Sequence, residues 1–537
     1  MNSWWGIIIR YNKLLQYNPI DNKIGGIKMG HIFIDGNSLT LDQFIDVTRN
    51  RATVELTEES IEKVNKARAL VDRYVEEGKV VYGITTGFGK FSNVTVTGDE
   101  TKALQKNLIM SHSCGIGNPF DEEIVRGIML LRANALAKGY SGIRLLTLQT
   151  LIDMLNKGVH PIIPEKGSLG SSGDLAPLAH MVLVMLGEGE AIYKGEKLTG
   201  KEAMDKAGIK TIELTSKEGL ALINGTQVMT SVGAHAVYDA INLSKTADVI
   251  AALTTEALNG ITDAFDPKVH EVRGQEGQIN SAKNLLNILR GSKNTTRQGD
   301  IRVQDAYSLR CIPQIHGASK DCFKYVKEKV ENEINAATDN PLIFVDEEQV
   351  ISGGNFHGEP MAQAFDFLAI GLSELANSSE RRLERLVNPA LSEGLPAFLT
   401  ENGGVNSGFM IVQYASAALV SENKVLAHPA SVDSIPSSAN QEDHVSMGTI
   451  AARKAREILG NVRKVLAMEL FGACQAIDLR ENKGLGAGTN EAYNIVREKV
   501  DMIHDDIIMN VEINQCEDII LSNVIVDKVE DKIGKLL

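Results

Sequence analysis

From Thr57 onward, apolar side chains return every three or four residues along most of this chain. Ile61, Val64, Ala67, Val71 and Tyr74 form such a stripe behind a Thr57 cap, with Glu58 and Glu59 in the first turn and Gly78 at the end, which predicts an amphipathic helix. Similar stripes predict helices over about 121–138, 144–157, 175–187, 218–258, 317–337, 360–388, 408–427 and 444–478. Most exceed the usual helix length of ~11–12 residues. In the last of them Met447, Ile450, Ala451, Ile458, Val462, Val465 and Leu466 share one face, and Arg453, Lys454, Arg456 and Glu457 take the others. Strand patterns are few: Ile32–Ile34, a hairpin across Ala191–Leu198 turning at Gly195, and another across Leu342–Ile351 turning at Asp346-Glu347-Glu348.

The expected fold is therefore mainly α, a long antiparallel helix bundle with a mixed N-terminal region and a few short β-hairpins. Residues 1–28 read as an extension that is not native or only loosely attached, because Met29 directly precedes the Ile32–Ile34 strand. Beyond it we expect an N-terminal domain over 29–225, a central long-helix bundle over 226–480 and a C-terminal helical segment over 481–537.

Composition changes this picture in two ways. Of 537 residues 43% are hydrophobic and 23% charged, an ordinary globular balance, and the net charge of -14 opposes nucleic acid and anionic membrane surfaces. No apolar run approaches the ~20 residues of a membrane helix. The five cysteines, Cys114, Cys311, Cys322, Cys474 and Cys516, are odd in number and scattered, which argues against a disulfide framework or a zinc knuckle and for reducing, cytoplasmic surroundings.

The chemistry concentrates at Gly167-Ser168-Leu169-Gly170-Ser171-Ser172-Gly173-Asp174, a glycine-spaced loop with adjacent hydroxyls and no basic residue. It lacks the Gly-Lys-Ser/Thr or G-x-G-x-x-G of a nucleotide cradle. Taken alone it reads as a tight turn leading into the helix that begins near Leu175, with Asp174 as N-cap and Pro177 in the first turn. The residues also allow something less ordinary: the Gly173 nitrogen, with no Cβ beside it, can fold back on the carbonyl of Ser171, and Ser172 carries a hydroxyl that can leave as water.

Gly167 through His180 closely resembles the signature of the aromatic amino acid ammonia-lyases, above all of their histidine-specific members. In that family an Ala-Ser-Gly triad cyclises and dehydrates into methylidene-imidazolone, an electrophilic prosthetic group. The resemblance implies that Ser171, Ser172 and Gly173 form it here, with no metal, nucleotide or PLP. Ser171 stands where alanine is usual. The ring takes only backbone atoms from that residue, so the larger side chain is compatible with cyclisation.

The resemblance extends from about His31 to about Arg480 and supplies roles residue by residue. Tyr82, in Val81-Tyr82-Gly83-Ile84-Thr85-Thr86-Gly87-Phe88-Gly89, matches the general base that removes a β-proton; Thr85 replaces the asparagine usual in histidine-specific members. Asn224, before Gly225, matches a contact to the prosthetic group and the substrate amine. Gln304, Tyr307 and Arg310, spaced for overlapping faces of one helix, match a segment whose arginine grips the substrate carboxylate. Phe356 matches a wall of the site. His112 and Glu442 match the pair that contacts the imidazole in histidine-specific members, and Glu442 separates them from tyrosine-specific relatives, which can also carry the histidine.

These matches imply nonoxidative deamination of L-histidine to trans-urocanate and ammonia by a cytoplasmic homotetramer with shared active sites. Tyrosine ammonia-lyase and aromatic 2,3-aminomutase activities would use the same electrophile. A noncatalytic helical scaffold would need none. The Gly-Ser-Ser-x-Met-Pro-x-Lys loop of fumarase- and aspartase-type helical lyases is absent. The histidines lie far apart with no H-x-x-x-H or H-E-x-x-H spacing, so no metal site is expected.

Overall fold

The computed structural model describes residues 30–81, 83–84, 86, 98–480 and 483–537. Tyr82 and Thr85 lie outside them. Five helices, Gln227–Ala257, Ile312–Glu333, Glu359–Val387, Met410–Leu426 and Gly448–Asp478, pack into a central bundle. The bundle follows from the sequence stripes, but parts of two of its helices are buried all round rather than along one stripe. Every residue from Val465 to Ile477 is buried, as is every residue from Gln227 to Val237. Helices without a polar face can only be interior.

Two clusters of charged groups inside this core are paired. Arg382 donates to Glu469 through Nε and Nη2 at 2.6 and 2.9 Å, and His316 Nδ1 and Lys320 Nζ meet Asp248 at 2.8 and 2.6 Å. A buried ion without its partner would cost several kcal/mol, on the order of 3–5.

The sequence pattern located most elements to within a few residues. Helices occupy Glu58–Glu76, with Thr57 capping Ser60 N, and Glu122–Ala137, Leu145–Lys157 and Leu175–Met185. Both hairpins form, Glu190–Tyr193 with Glu196–Thr199 and Leu342–Phe344 with Gln349–Ile351. His31–Ile34 pairs in parallel with Thr53–Leu56, a partner the pattern did not reveal.

Two expectations need correction. The helix expected over 218–258 is two helices, Glu218–Ile223 and Gln227–Ala257, because the chain turns at Asn224-Gly225-Thr226. The helix expected from 444 starts at Gly448, since Met447 holds a left-handed φ of 58° and ends the regular ladder there. Both interruptions fall at the candidate site.

The scaffold buries imidazoles in the neutral form, and its stability should depend on pH accordingly. His235 Nδ1 donates to Ser231 O at 2.8 Å, and His160 Nε2 lies 3.3 Å from the Arg126 guanidinium. Burial is the main influence on both, holding His235 at about 4 and His160 at about 3 against an ordinary 6.5. Between those values the unfolded chain binds more protons than the folded one, so stability is lost as pH falls from 6.5 toward 4. At pH 5 the loss is about 2 kcal/mol per group. Melting temperatures recorded from pH 7 to pH 5 should therefore decline steadily, and a flat profile would contradict neutral burial.

Candidate active site

The Ser171-Ser172-Gly173 loop is clamped by three segments distant in sequence. It is entered from the short strand Pro164–Lys166, which pairs with Ile116–Pro119, and left through the helix Leu175–Met185. Leu169 O accepts from Met447 N at 2.8 Å and Gly170 O accepts from Ser446 Oγ at 2.9 Å, tying the loop to the start of the Gly448–Asp478 helix. Gly170 has φ +66°, and a Cβ there would lie 2.3 Å from Ser446 Oγ.

Asp174 is the centre of the clamp. Asp174 stands at the expected N-cap position of the Leu175–Met185 helix, but its carboxylate makes no cap bond to that helix. Instead Oδ2 accepts from Val228 N and Met229 N, both at 2.9 Å, and Oδ1 accepts from the hydroxyls of Ser168 and Thr449. It thus caps the Gln227–Ala257 helix, whose own Thr226 gives no side-chain cap. Asp174 is fully buried, which pushes its carboxyl up, while Thr449, Met229, Ser168 and Val228 pull it back. Sequence reasoning read the aspartate locally because nothing in a helix start reveals a cap supplied from 54 residues away.

The triad itself lies against the turn that splits the expected helix. Gly173 has φ +71°, and a Cβ there would come within 2.2 Å of Gly225 O, so the position admits no side chain. Asp174 N donates to the same carbonyl at 2.7 Å. Asn224 Nδ2 donates to Ser172 O at 2.9 Å, while the buried Asn224 Oδ1 has no partner. Behind the turn, Arg132 Nη1 donates to Asn224 O and Gln227 Oε1, both at 2.9 Å, an anchor that no sequence motif singled out.

These contacts suit a cyclised triad. Ring closure joins the Gly173 nitrogen to the Ser171 carbonyl carbon and leaves the Ser172 carbonyl oxygen in place, with an amide donor already aimed at it. The buried Asn224 Oδ1 is left as an acceptor without a partner.

In front of the triad opens a cavity of 330 Å³ whose walls include His112, Ser171, Gly173, Ser437 and Glu442. Glu442 is brought in by a loop with positive φ at Ser438, Ala439 and Asn440 and a two-way backbone pairing of Ser437 with Glu442. Left-handed non-glycine residues cost about 1 kcal/mol each, a strain typical of functional loops. Glu442 Oε1 accepts from Ser172 Oγ at 2.7 Å, and Oε2 accepts from Ser171 Oγ at 2.8 Å and from Ser437 Oγ at 3.0 Å. His112, at the end of the Gly98–His112 helix, has Nδ1 3.1 Å from Ser111 Oγ. Burial pushes its imidazole below the ordinary value while Glu442 raises it in part. Among the described residues no three His, Cys, Asp or Glu side chains form a metal-binding group.

Of the remaining candidates, Gln304, Tyr307, Arg310 and Phe356 do not line this cavity, and Tyr82 is outside the described residues. Gln304 precedes the helical turn Tyr307–Arg310, correcting the expectation that one helix presents all three. The Arg310 guanidinium lies 4.6 Å over the Tyr307 ring, its Nε is buried without a partner, and Tyr307 is 67% exposed. Phe356, half-buried, sits on a turn two residues before Gly358, where a Cβ would press on Met229 and Ser446. Tyr82 precedes Gly83, where a Cβ would touch Leu220 on the helix leading to Asn224.

Comparison with known proteins fits this geometry. Residues 39–498 match the family model of aromatic amino acid lyase. The chain belongs to that family. A histidine ammonia-lyase of Alkaliphilus oremlandii is 67% identical over 502 residues, 94% of this chain and 99% of the relative. One from Clostridium tetani is 64% identical over 93% of this chain and 98% of its own length. Among aromatic amino acid lyase structures, histidine ammonia-lyase from Trypanosoma cruzi aligns with a TM-score of 0.87 at 43% identity, covering 94% of this chain and 96% of that one. Tyrosine aminomutase from Streptomyces globisporus aligns at 0.91 with 38% identity, covering 94% and 100%. The split at Asn224 places backbone against Gly173, and the late start at Gly448 places backbone against Leu169 and Gly170 of the same loop.

Proposed function

We propose that this protein is a carbon–nitrogen lyase that converts L-histidine to trans-urocanate and ammonia. One observation favours it most: Glu442 and His112 share the wall of the triad cavity, where a polar pair suits an imidazole ring. The names of its near relatives point the same way.

The methylidene-imidazolone formed from Ser171, Ser172 and Gly173 would supply the electrophile that makes the substrate amine a leaving group. The chain's own residues do the rest. Asn224 Nδ2 donates to Ser172 O and holds that carbonyl oriented, and Asn224 Oδ1 accepts from the amine. Glu442 accepts from the imidazole N–H, and neutral His112 lines the same pocket beside the ring. Tyr82 removes the β-proton, and Arg310 binds the carboxylate as a bidentate partner while its cation stacks on Tyr307.

Gln304, Tyr307, Arg310 and Phe356 do not line the cavity of their own chain, which supports a homotetramer in which neighbouring copies complete each site. Cytoplasmic location is part of the same reading. Among the described residues no helix is long and apolar enough to cross a membrane.

Near-ultraviolet absorbance of the purified protein with L-histidine, beside L-tyrosine and L-phenylalanine, tests the proposal. Urocanate from histidine alone is the expected result. A coumarate from tyrosine would transfer the assignment to the tyrosine lyase, and a β-amino acid found by product analysis of an aromatic substrate would transfer it to the aminomutase. Glu442→Ala should lower kcat/KM for histidine by roughly 100-fold or more, because it removes the charged acceptor of the ring N–H. A loss below about threefold would refute that role.

A further inference from the structure

We infer that Ser171 is a positioning residue for Glu442, and through it a determinant of imidazole binding; the inference rests on the histidine reading above. In the uncyclised chain Glu442 accepts three hydroxyl hydrogen bonds, from Ser172 Oγ on Oε1 and from Ser171 Oγ and Ser437 Oγ on Oε2. Cyclisation treats the two triad serines differently. Closing the ring bonds the Ser171 carbonyl carbon to the Gly173 nitrogen and makes its bond to the Ser172 nitrogen a C=N double bond, and the carbonyl oxygen leaves as water with the amide protons of Gly173 and Ser172. A second water leaves when Ser172 gives up its Oγ and its Cα proton and a Cα=Cβ double bond forms. The Ser172 hydroxyl is thereby lost, whereas the Ser171 side chain stays on the ring as an unreacted substituent.

Maturation therefore strips the donor from Oε1 and leaves both donors on Oε2. One oxygen of Glu442 stays fixed by Ser171 and Ser437, and the other is released beside the cavity that His112 also lines. A carboxylate with one oxygen tethered twice and one free presents a single oriented acceptor, the form that recognises one ring N–H. Ser437 belongs to the same strained loop as Glu442, five residues away, whereas Ser171 belongs to the triad loop. The bond from Ser171 is thus the one that sets where Glu442 stands relative to the electrophile.

The test compares Ser171→Ala and Ser171→Thr with the parent. Peptide mapping of residues 167–178 should show the deficit of two waters, about 36 Da, in all three proteins, since only backbone atoms of residue 171 enter the ring. With cyclisation intact, kcat/KM for L-histidine should fall roughly 10- to 100-fold in Ser171→Ala, the effect of removing a hydrogen bond to a charged group. Ser171→Thr should recover to within about threefold of the parent, because it restores the hydroxyl.

A binding measurement independent of the electrophile accompanies this. Ser172→Ala leaves Glu442 with the two donors that survive maturation, so calorimetric titration with L-histidine reads the tether without turnover. Adding Ser171→Ala to it should weaken binding roughly tenfold, and Ser171→Thr should not. Equal histidine affinity with and without the Ser171 hydroxyl would overturn the inference. So would a loss in Ser171→Ala that threonine fails to restore. If Ser171→Ala blocks cyclisation, the calorimetric comparison still decides. If the parent protein makes no urocanate, the proposed function fails, and that result is distinct from a parent that is active but indifferent to residue 171.

Discussion

A Ser172→Ala protein is expected to fold, to keep the full mass of residues 167–178, and to lose at least about 1000-fold of its activity. Ser172 Oγ donates to Glu442, a residue of the cavity wall, at 2.7 Å, and the clamp of the loop runs through other atoms. Alanine removes the hydroxyl that must leave and disturbs none of the bonds from Ser168, Gly170 or Asp174. Without the leaving group the chain can form no methylidene, and with it goes the means of activating the amine. Circular dichroism and the melting temperature should match the parent. Retained activity near the parent level would refute the triad chemistry altogether, and a collapse of the fold would show that the loop depends on a contact not made through its clamp.

Replacing Asp174 by alanine should have the largest effect on stability, about 3–5 kcal/mol. Its carboxylate accepts from two backbone amides of the Gln227–Ala257 helix and two hydroxyls, all fully buried. Alanine would orphan these donors with no water to take them. In Asp174→Asn the side-chain oxygen can still accept and the new amide can donate, so roughly half of the loss should be recovered. Because the same residue joins the triad loop to Gly225 and to the Gly448–Asp478 helix, Asp174→Ala should also show little or none of the two-water mass deficit. Thermal denaturation and the peptide map together check this. A variant with parent-like stability would mean that the buried donors find other partners.

The bundle was legible because long helices announce themselves through spacing. The stripe at Ile61, Val64, Ala67, Val71 and Tyr74, with its Thr57 cap, occurs as a helix over Glu58–Glu76. Hairpins with polar turns at Gly195 and Asp346-Glu347-Glu348 were equally local. The pattern ran through Asn224-Gly225-Thr226 because apolar residues continue at helical spacing on both sides. It extended the last helix back to 444 because no propensity forces Met447 into a left-handed backbone.

The site was legible in a different sense. The Ser-Ser-Gly loop, Asn224, His112 and Glu442 could be nominated from chemistry and resemblance, and the structure brings all of them to one place. Gln304, Tyr307, Arg310 and Phe356 were nominated by the same means, yet a single chain leaves them apart from the triad cavity. Arg132 and Ser437 were not nominated, since a buried arginine donating to a backbone carbonyl and a serine steadying a carboxylate have no motif.

By itself, then, the sequence determined which segments are helical, which loop can become an electrophile and which side chains have the right chemistry, because spacing, capping and reactivity are properties of neighbours along the chain. Only the tertiary structure decided that Asp174 caps a helix other than its own, that Gly225 denies Gly173 a side chain, and that two serines of the triad both hold Glu442. Those are meetings of segments 50 to 270 residues apart, made by burial of the bundle's apolar faces. No local pattern encodes them, because the free energy that enforces each contact is that of the whole core closing around it.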